Sequence, residues 1–196
     1  MKKRVLPLLL AVCLTVSLLA VPAGAAFASA FSDVSDPATA TAIESLRLMD
    51  VLDGYGDGTF RPSGSLTRAQ FCKMAVYAMC QSSELGKYRV VTIFPDVKPA
   101  YWAASYINLA AKGKQIIAGY PDGRFYPDRT ITAGQAVSIL VRLLGYTVDE
   151  VGGIFPDSYL AQAATVELID GLSLSGGAVL TRGQAARLFL NLLRCD

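Results

Sequence analysis

Phe94-Pro95-Asp96-Val97, then Gly119-Tyr120-Pro121-Asp122-Gly123-Arg124-Phe125-Tyr126-Pro127, then Thr132-Ala133-Gly134-Gln135: these three pieces, in this order, decide the fold. All three have counterparts upstream, in Phe31-Ser32-Asp33-Val34, Gly54-Tyr55-Gly56-Asp57-Gly58-Thr59-Phe60-Arg61-Pro62 and Thr67-Arg68-Ala69-Gln70. Two recur downstream, in Phe155-Pro156-Asp157-Ser158 and Thr181-Arg182-Gly183-Gln184. The F-x-D starts lie 63 and then 61 residues apart. Such self-similarity marks a repeat architecture, in which one unit cannot bury its apolar face alone and its neighbours complete the core.

Each piece has a local physical reading. T-x-x-Q is a capping box: the Thr hydroxyl accepts from the third helical amide, and the Gln side chain reaches back to the cap amide. Thr67, Thr132, Thr181 and Gln135 are therefore expected as capping residues. An apolar run at helical spacing follows each box: Phe71, Met74, Ala75 and Ala78, then Ile139, Leu140 and Leu143, then Leu188, Leu192 and Leu193. G-Y-x-D-G is turn chemistry, with Gly supplying positive φ and Asp closing the turn. Asp36-Pro37 opens an earlier helix as cap and first helical residue, with Ile43, Leu46 and Met49 along its apolar side. The expected fold is all-α, three helix–loop–helix repeats at residues 31–90, 91–150 and 151–196. The third is shortened: Phe155 to Thr181 is 26 residues, against 36 and 38 in the first two, and Gly176-Gly177 stands where the G-Y-x-D-G loop belongs.

Residues 1–28 read as a secretory signal peptide: a basic start at Lys2-Lys3-Arg4, an apolar run, and small-x-small sites ending at Ala28 or Ala30. Leu10-Ala11-Val12-Cys13 looks like a lipobox, but Val12 is too large and the apolar run continues past Cys13. The chain has 18 basic and 16 acidic residues; three of the basic ones fall in the signal, leaving 15 against 16. A near-neutral chain has no electrostatic footprint for nucleic acid. No later segment is apolar for long enough to span a membrane. Three cysteines remain, Cys72, Cys80 and Cys195, an odd number that argues against a disulfide framework. On one helix Cys72 and Cys80 would sit about 12 Å apart, beyond bridging distance, and both read as small buried hydrophobes.

The chain has no histidine, which excludes a His-based triad, an imidazole base or a His-ligated zinc. No acidic pair forms a recognisable catalytic arrangement. Asp53-x-Tyr55-x-Asp57-Gly58 has some likeness to a calcium loop, but Gly64 occupies the position of the bidentate Glu. Neither a metal nor a cofactor is expected, and the chain reads as a non-enzyme.

F-x-D-V, G-Y-x-D-G-x-F-x-P and a T-R-A-E-like cap opening an apolar helix together resemble the S-layer homology repeat, over essentially residues 31–194. The resemblance implies a pseudo-threefold helical assembly at the cell surface. It implies non-covalent attachment to a cell-wall polysaccharide linked to peptidoglycan, commonly a pyruvylated secondary polymer. Other surface-layer proteins are a second class of partner. The implied glycan contacts are Asp33, Arg68, Gln70, Asp96, Trp102, Asp157, Arg182 and Gln184. Helix N-termini favour anions, and an Arg beside the cap adds planar donors for a carboxylate. The aspartates can accept from sugar hydroxyls or cap helices, and Trp102 can face a sugar ring or fill the core. The sequence departs from the family pattern in carrying Gln for Glu in every box and Ala133 for the basic residue. The groove expected to work best joins Arg68 to Asp96 and Trp102. A rival reading is a surface assembly protein acting through protein contacts.

Overall fold

The computed structural model describes residues 29–195, so the expected signal segment lies outside the described residues. These form seven α-helices: α1 Pro37–Leu48, α2 Arg68–Ala78, α3 Ala104–Asn108, α4 Ala133–Leu143, α5 Val148–Val151, α6 Asp157–Thr165 and α7 Arg182–Leu192. A 3-10 stretch, Ser82–Tyr88, joins the first segment to the second, and a π-helical turn, Leu109–Gly113, extends α3. Extended pairing among the described residues is limited to isolated bridges.

Four of the helices begin where the sequence places their caps. Asp36 caps α1, accepting from the Thr39 amide at 2.8 Å and its hydroxyl at 2.6 Å, with Pro37 in the first turn. Thr67, Thr132 and Thr181 cap α2, α4 and α7 in extended backbone, and each capping box is complete. Four helical stretches exit through non-glycine residues at positive φ: Asp50, Cys80, Gln115 and Glu167. Cys72 is buried as expected, but Cys80 lies beyond the end of α2 and is exposed, because the left-handed exit turns it outward. Met49 likewise falls at the α1 cap rather than in the core.

The helices pair between segments. α2 packs on α3, α4 on α6, and α7 on α1, so the capped helix of each segment meets the first helix of the next and the last returns to the first. The backbone repeats the cycle. Arg68 and Ala69 amides donate to Arg129 and Pro127 carbonyls at 2.9 and 3.0 Å. Ala133 and Gly134 donate to Ala178 and Gly176, both at 2.9 Å, and Arg182 and Gly183 to Gly64 and Pro62 at 2.8 and 2.9 Å. Bridges pair Thr67 with Thr130, Thr132 with Val179 and Ser65 with Thr181.

The three capped helices fill the centre with complementary sizes: Phe71 with Ala75, Ala136 with Leu140, and Ala185 with Phe189, all fully buried. Phe71 and Phe189 approach to 5.0 Å between ring centroids. Gly134 has a steric reason. A Cβ there would lie 2.5 Å from Pro156 Cβ, whereas the first segment carries Ala69 at the matching position.

Candidate functional site: an inter-segment groove

Arg68 opens α2, yet its side chain serves the second segment. Nε donates to Phe125 O at 2.9 Å, Nη2 to Ala118 O at 3.2 Å and Nη1 to Gln135 Oε1 at 3.4 Å. The guanidinium lies over the Tyr120 and Phe125 rings at 4.8 and 4.6 Å from their centroids. Only 4% of Arg68 is exposed. Desolvation lowers its pKa from the ordinary value. Among the described residues no carboxylate forms an ion pair or hydrogen bond with it. Asp96 holds the other side of Phe125, accepting from the Phe125 and Tyr126 amides at 2.9 and 2.7 Å.

Arg182 repeats the arrangement on the first segment. Nε donates to Phe60 O at 2.8 Å and Nη2 to Asp53 O at 2.9 Å, above the Phe60 and Tyr55 rings. Asp33 accepts from the Phe60 and Arg61 amides at 2.8 and 2.7 Å. Those amides, led by Phe60, hold the Asp33 carboxyl below its ordinary pKa. Arg61 and Tyr126 have positive φ, so successive amides converge on one carboxylate as in an anion-binding nest. The aspartates of the first two F-x-D elements thus fasten their own loops and cap no helix. Asp157 has no such loop to fasten and lies exposed in the first turn of α6.

The caps do not present unpaired amides. The first two amides of α2, α4 and α7 donate to the neighbouring segment, the third to the Thr hydroxyl, and the cap amide to Gln70, Gln135 or Gln184. The expectation that these N-termini receive an anion therefore fails, because the fold uses every one of those donors. The two departures noted in the sequence also belong together. Ala133 carries no guanidinium, and the third segment has no G-Y-x-D-G loop for one to hold.

A groove of about 310 Å³ runs beside Arg68, lined by Ile117, Ala118, Gly119, Tyr120, Pro121, Gln135, Ser138, Ile139, Arg142 and Phe155. It carries two guanidiniums, apolar walls and no acidic side chain. Gln135, expected only as a cap residue, also donates Nε2 to the Tyr120 hydroxyl at 2.9 Å. Asp96 and Trp102 do not line this groove. Trp102, 53% exposed, instead forms an aromatic ledge with Tyr101 and Tyr106 at 5.8 and 6.5 Å between centroids. Tyr106 stacks on Tyr77 of α2, and Lys73 Nζ sits 5.6 Å from the Tyr77 ring. Burial, aided by the bond to Asp128, pushes the Tyr101 phenol up to about 12.

Sequence reading missed Arg142 and Phe155. Arg142 stands ten residues after Thr132, where the first segment has Tyr77 and the third Asn191. A cation at a position that is uncharged in both sister segments was the available signal. Among the described residues, no group of three or more His, Cys, Asp or Glu side chains could hold a metal ion, and no helix is long and apolar enough to cross a membrane.

Comparison with known proteins finds relatives among cell-wall and cell-surface proteins. The chain is 31% identical over 156 residues to the middle cell wall protein of Brevibacillus brevis, covering 79% of this chain and 14% of that protein. It is 32% identical over 172 residues to a cell surface protein of Thermoanaerobacter kivui, covering 85% and 22%. It is 36% identical over 120 residues to the cellulosome-anchoring protein of Acetivibrio thermocellus, covering 58% and 26%. The chain thus spans between 14% and 26% of the length of these relatives. The matches accord with a secreted, cell-wall-associated surface protein. Residues 30–72 and 93–137 match the S-layer homology domain.

Proposed function

We propose that the chain attaches non-covalently to the bacterial cell wall by binding a secondary, pyruvylated polysaccharide in the groove beside Arg68. The observation that carries this reading is the lining: two guanidiniums and apolar walls with no carboxylate among them. A pyruvyl ketal offers one carboxylate on an otherwise apolar substituent, which suits such walls. The chain acts as a binding module rather than an enzyme, and other surface-layer proteins are its further partners.

Residues 151–195 serve as a third, shortened copy, and the three copies make a pseudo-threefold assembly. Two facts support this: Thr181 repeats the capping box, and the hydrogen bonds between segments run in a closed cycle. The third copy closes the assembly more than it binds, since it lacks the loop that forms one wall of the groove. Glycan contact falls to the groove walls that Arg68 and Gln135 hold and line, with the Trp102 ledge as a separate sugar-facing surface. Asp33, Asp96 and Arg182 act on glycan through the loops they hold, and Gln70 and Gln184 through their caps.

The test is co-sedimentation with purified sacculi, before and after removal of the secondary polymer. The chain sediments with the intact sacculi and stays in solution with the stripped ones. Equal sedimentation with both preparations, or with neither, overturns the reading.

A further inference from the structure

We infer that Arg142, rather than Arg68, reads the acidic group of the wall polymer; this rests on the polymer-binding reading above. Arg68 has committed all three of its donor nitrogens to protein acceptors and is almost wholly buried. Arg142 lines the same groove, is half-buried, and makes no ion pair among the described residues. Its Nε and Nη2 both point at one acceptor, the Tyr159 hydroxyl, at 3.4 and 3.2 Å. Its Nη1 makes no hydrogen bond among the described residues, so the guanidinium is oriented but not saturated.

The neighbours explain why it stays in place. The Tyr159 ring lies 5.5 Å beneath the guanidinium and is itself 5% exposed, so the acceptor is fixed. Phe155 packs edge-on to Tyr159 at 6.1 Å and borders the groove. A half-buried guanidinium with a fixed orientation and spare donors favours a carboxylate over a neutral hydroxyl. The corresponding position in the first segment is Tyr77, so that segment lacks this charge. Arg68 is then a positioning residue, holding the Ala118–Phe125 loop that forms one wall, and Arg142 is the residue that selects for charge.

The experiment measures binding of two probes: the polymer released from sacculi, and the same polymer after methyl esterification of its carboxyl groups. The parent protein prefers the free acid by about tenfold, the size expected of one charge-assisted contact. Arg142→Gln brings that ratio close to one, while Arg142→Lys keeps most of it. Circular dichroism and the melting temperature accompany each variant. The inference is overturned if Arg142→Gln keeps the parent's preference. It is also overturned if Gln and Lys variants lose it equally and both melt early, since that marks a structural role. If the parent itself sediments equally with intact and stripped sacculi, it is the polymer-binding reading that has failed.

Discussion

Arg182 donates its Nε to the carbonyl oxygen of Phe60 at 2.8 Å, joining residues 122 positions apart. The bond ties the last capped helix to the first loop, as Arg68 ties α2 to the loop around Phe125. Loss of Arg68 leaves the Phe125 and Ala118 carbonyls without that partner and two rings without their cover. Arg68→Ala therefore lowers unfolding stability by roughly 2–4 kcal/mol. Urea denaturation followed by circular dichroism measures it, and a loss below about 0.5 kcal/mol would contradict the structural role.

Acid removes part of the stability. The folded-state pKa values of Asp33 and Asp36 lie below their ordinary values, the first through the Phe60 amide, the second through the Thr39 hydroxyl. Asp57 falls to about 2, held first by the Thr59 hydroxyl and then by Arg61. Depressed carboxyl pKa values give stability that is present above the unfolded value near 4 and lost as pH falls through the folded values. The urea midpoint should thus hold steady above about pH 5 and decline from pH 4 towards 2. Asp33→Ala makes that decline shallower.

Gly134→Ala places a methyl group 2.5 Å from Pro156 Cβ and 3.0 Å from the Gly176 carbonyl oxygen. Overpacking of this kind costs about 1–3 kcal/mol. Ala69→Gly, at the matching position of α2, meets no such contact in reverse and reports only the helical preference. Thermal melts of the pair separate the two effects.

Gln115 takes φ 55° where the chain leaves the π-helical turn, and its residue is exposed. A side chain in left-handed backbone is strained, and glycine is not. Gln115→Gly is expected to stabilise the fold by about 0.5–1 kcal/mol, read as a higher urea midpoint.

Removal of residues 182–195 should abolish cooperative unfolding of the whole chain rather than delete one helix. α1 has its main helical contact with α7, so its buried face, including Ile43 and Leu46, would meet water. Hydrogen exchange at α1 amides is the decisive measurement. Protection retained in the truncated chain would show that the cycle is not required.

Much of the architecture is readable from the sequence because its punctuation is local. The Thr-x-x-Gln boxes and Asp36-Pro37 each satisfy amides within a few residues, so the helix starts follow from spacing alone. The apolar faces of α2 and α4 also follow from helical period. The site is less readable, since its chemistry depends on partners far along the chain. Arg68 next to a cap looks like an anion receptor until Ala118 and Phe125 are brought to it. Asp33 and Asp96 look like free acceptors until their loops fold back by 27 to 30 residues. Arg142 acquires meaning only beside Tyr159, which another segment supplies.

The return of α7 to α1 also sets how the molecule carries mechanical load. A pull applied between residue 30 and residue 195 acts first across that one junction, shearing the helix pair and the two amide bonds to Gly64 and Pro62. The groove beside Arg68 and Arg142 uses other junctions. Tension along the chain is therefore borne at a seam separate from the surface that would grip the wall.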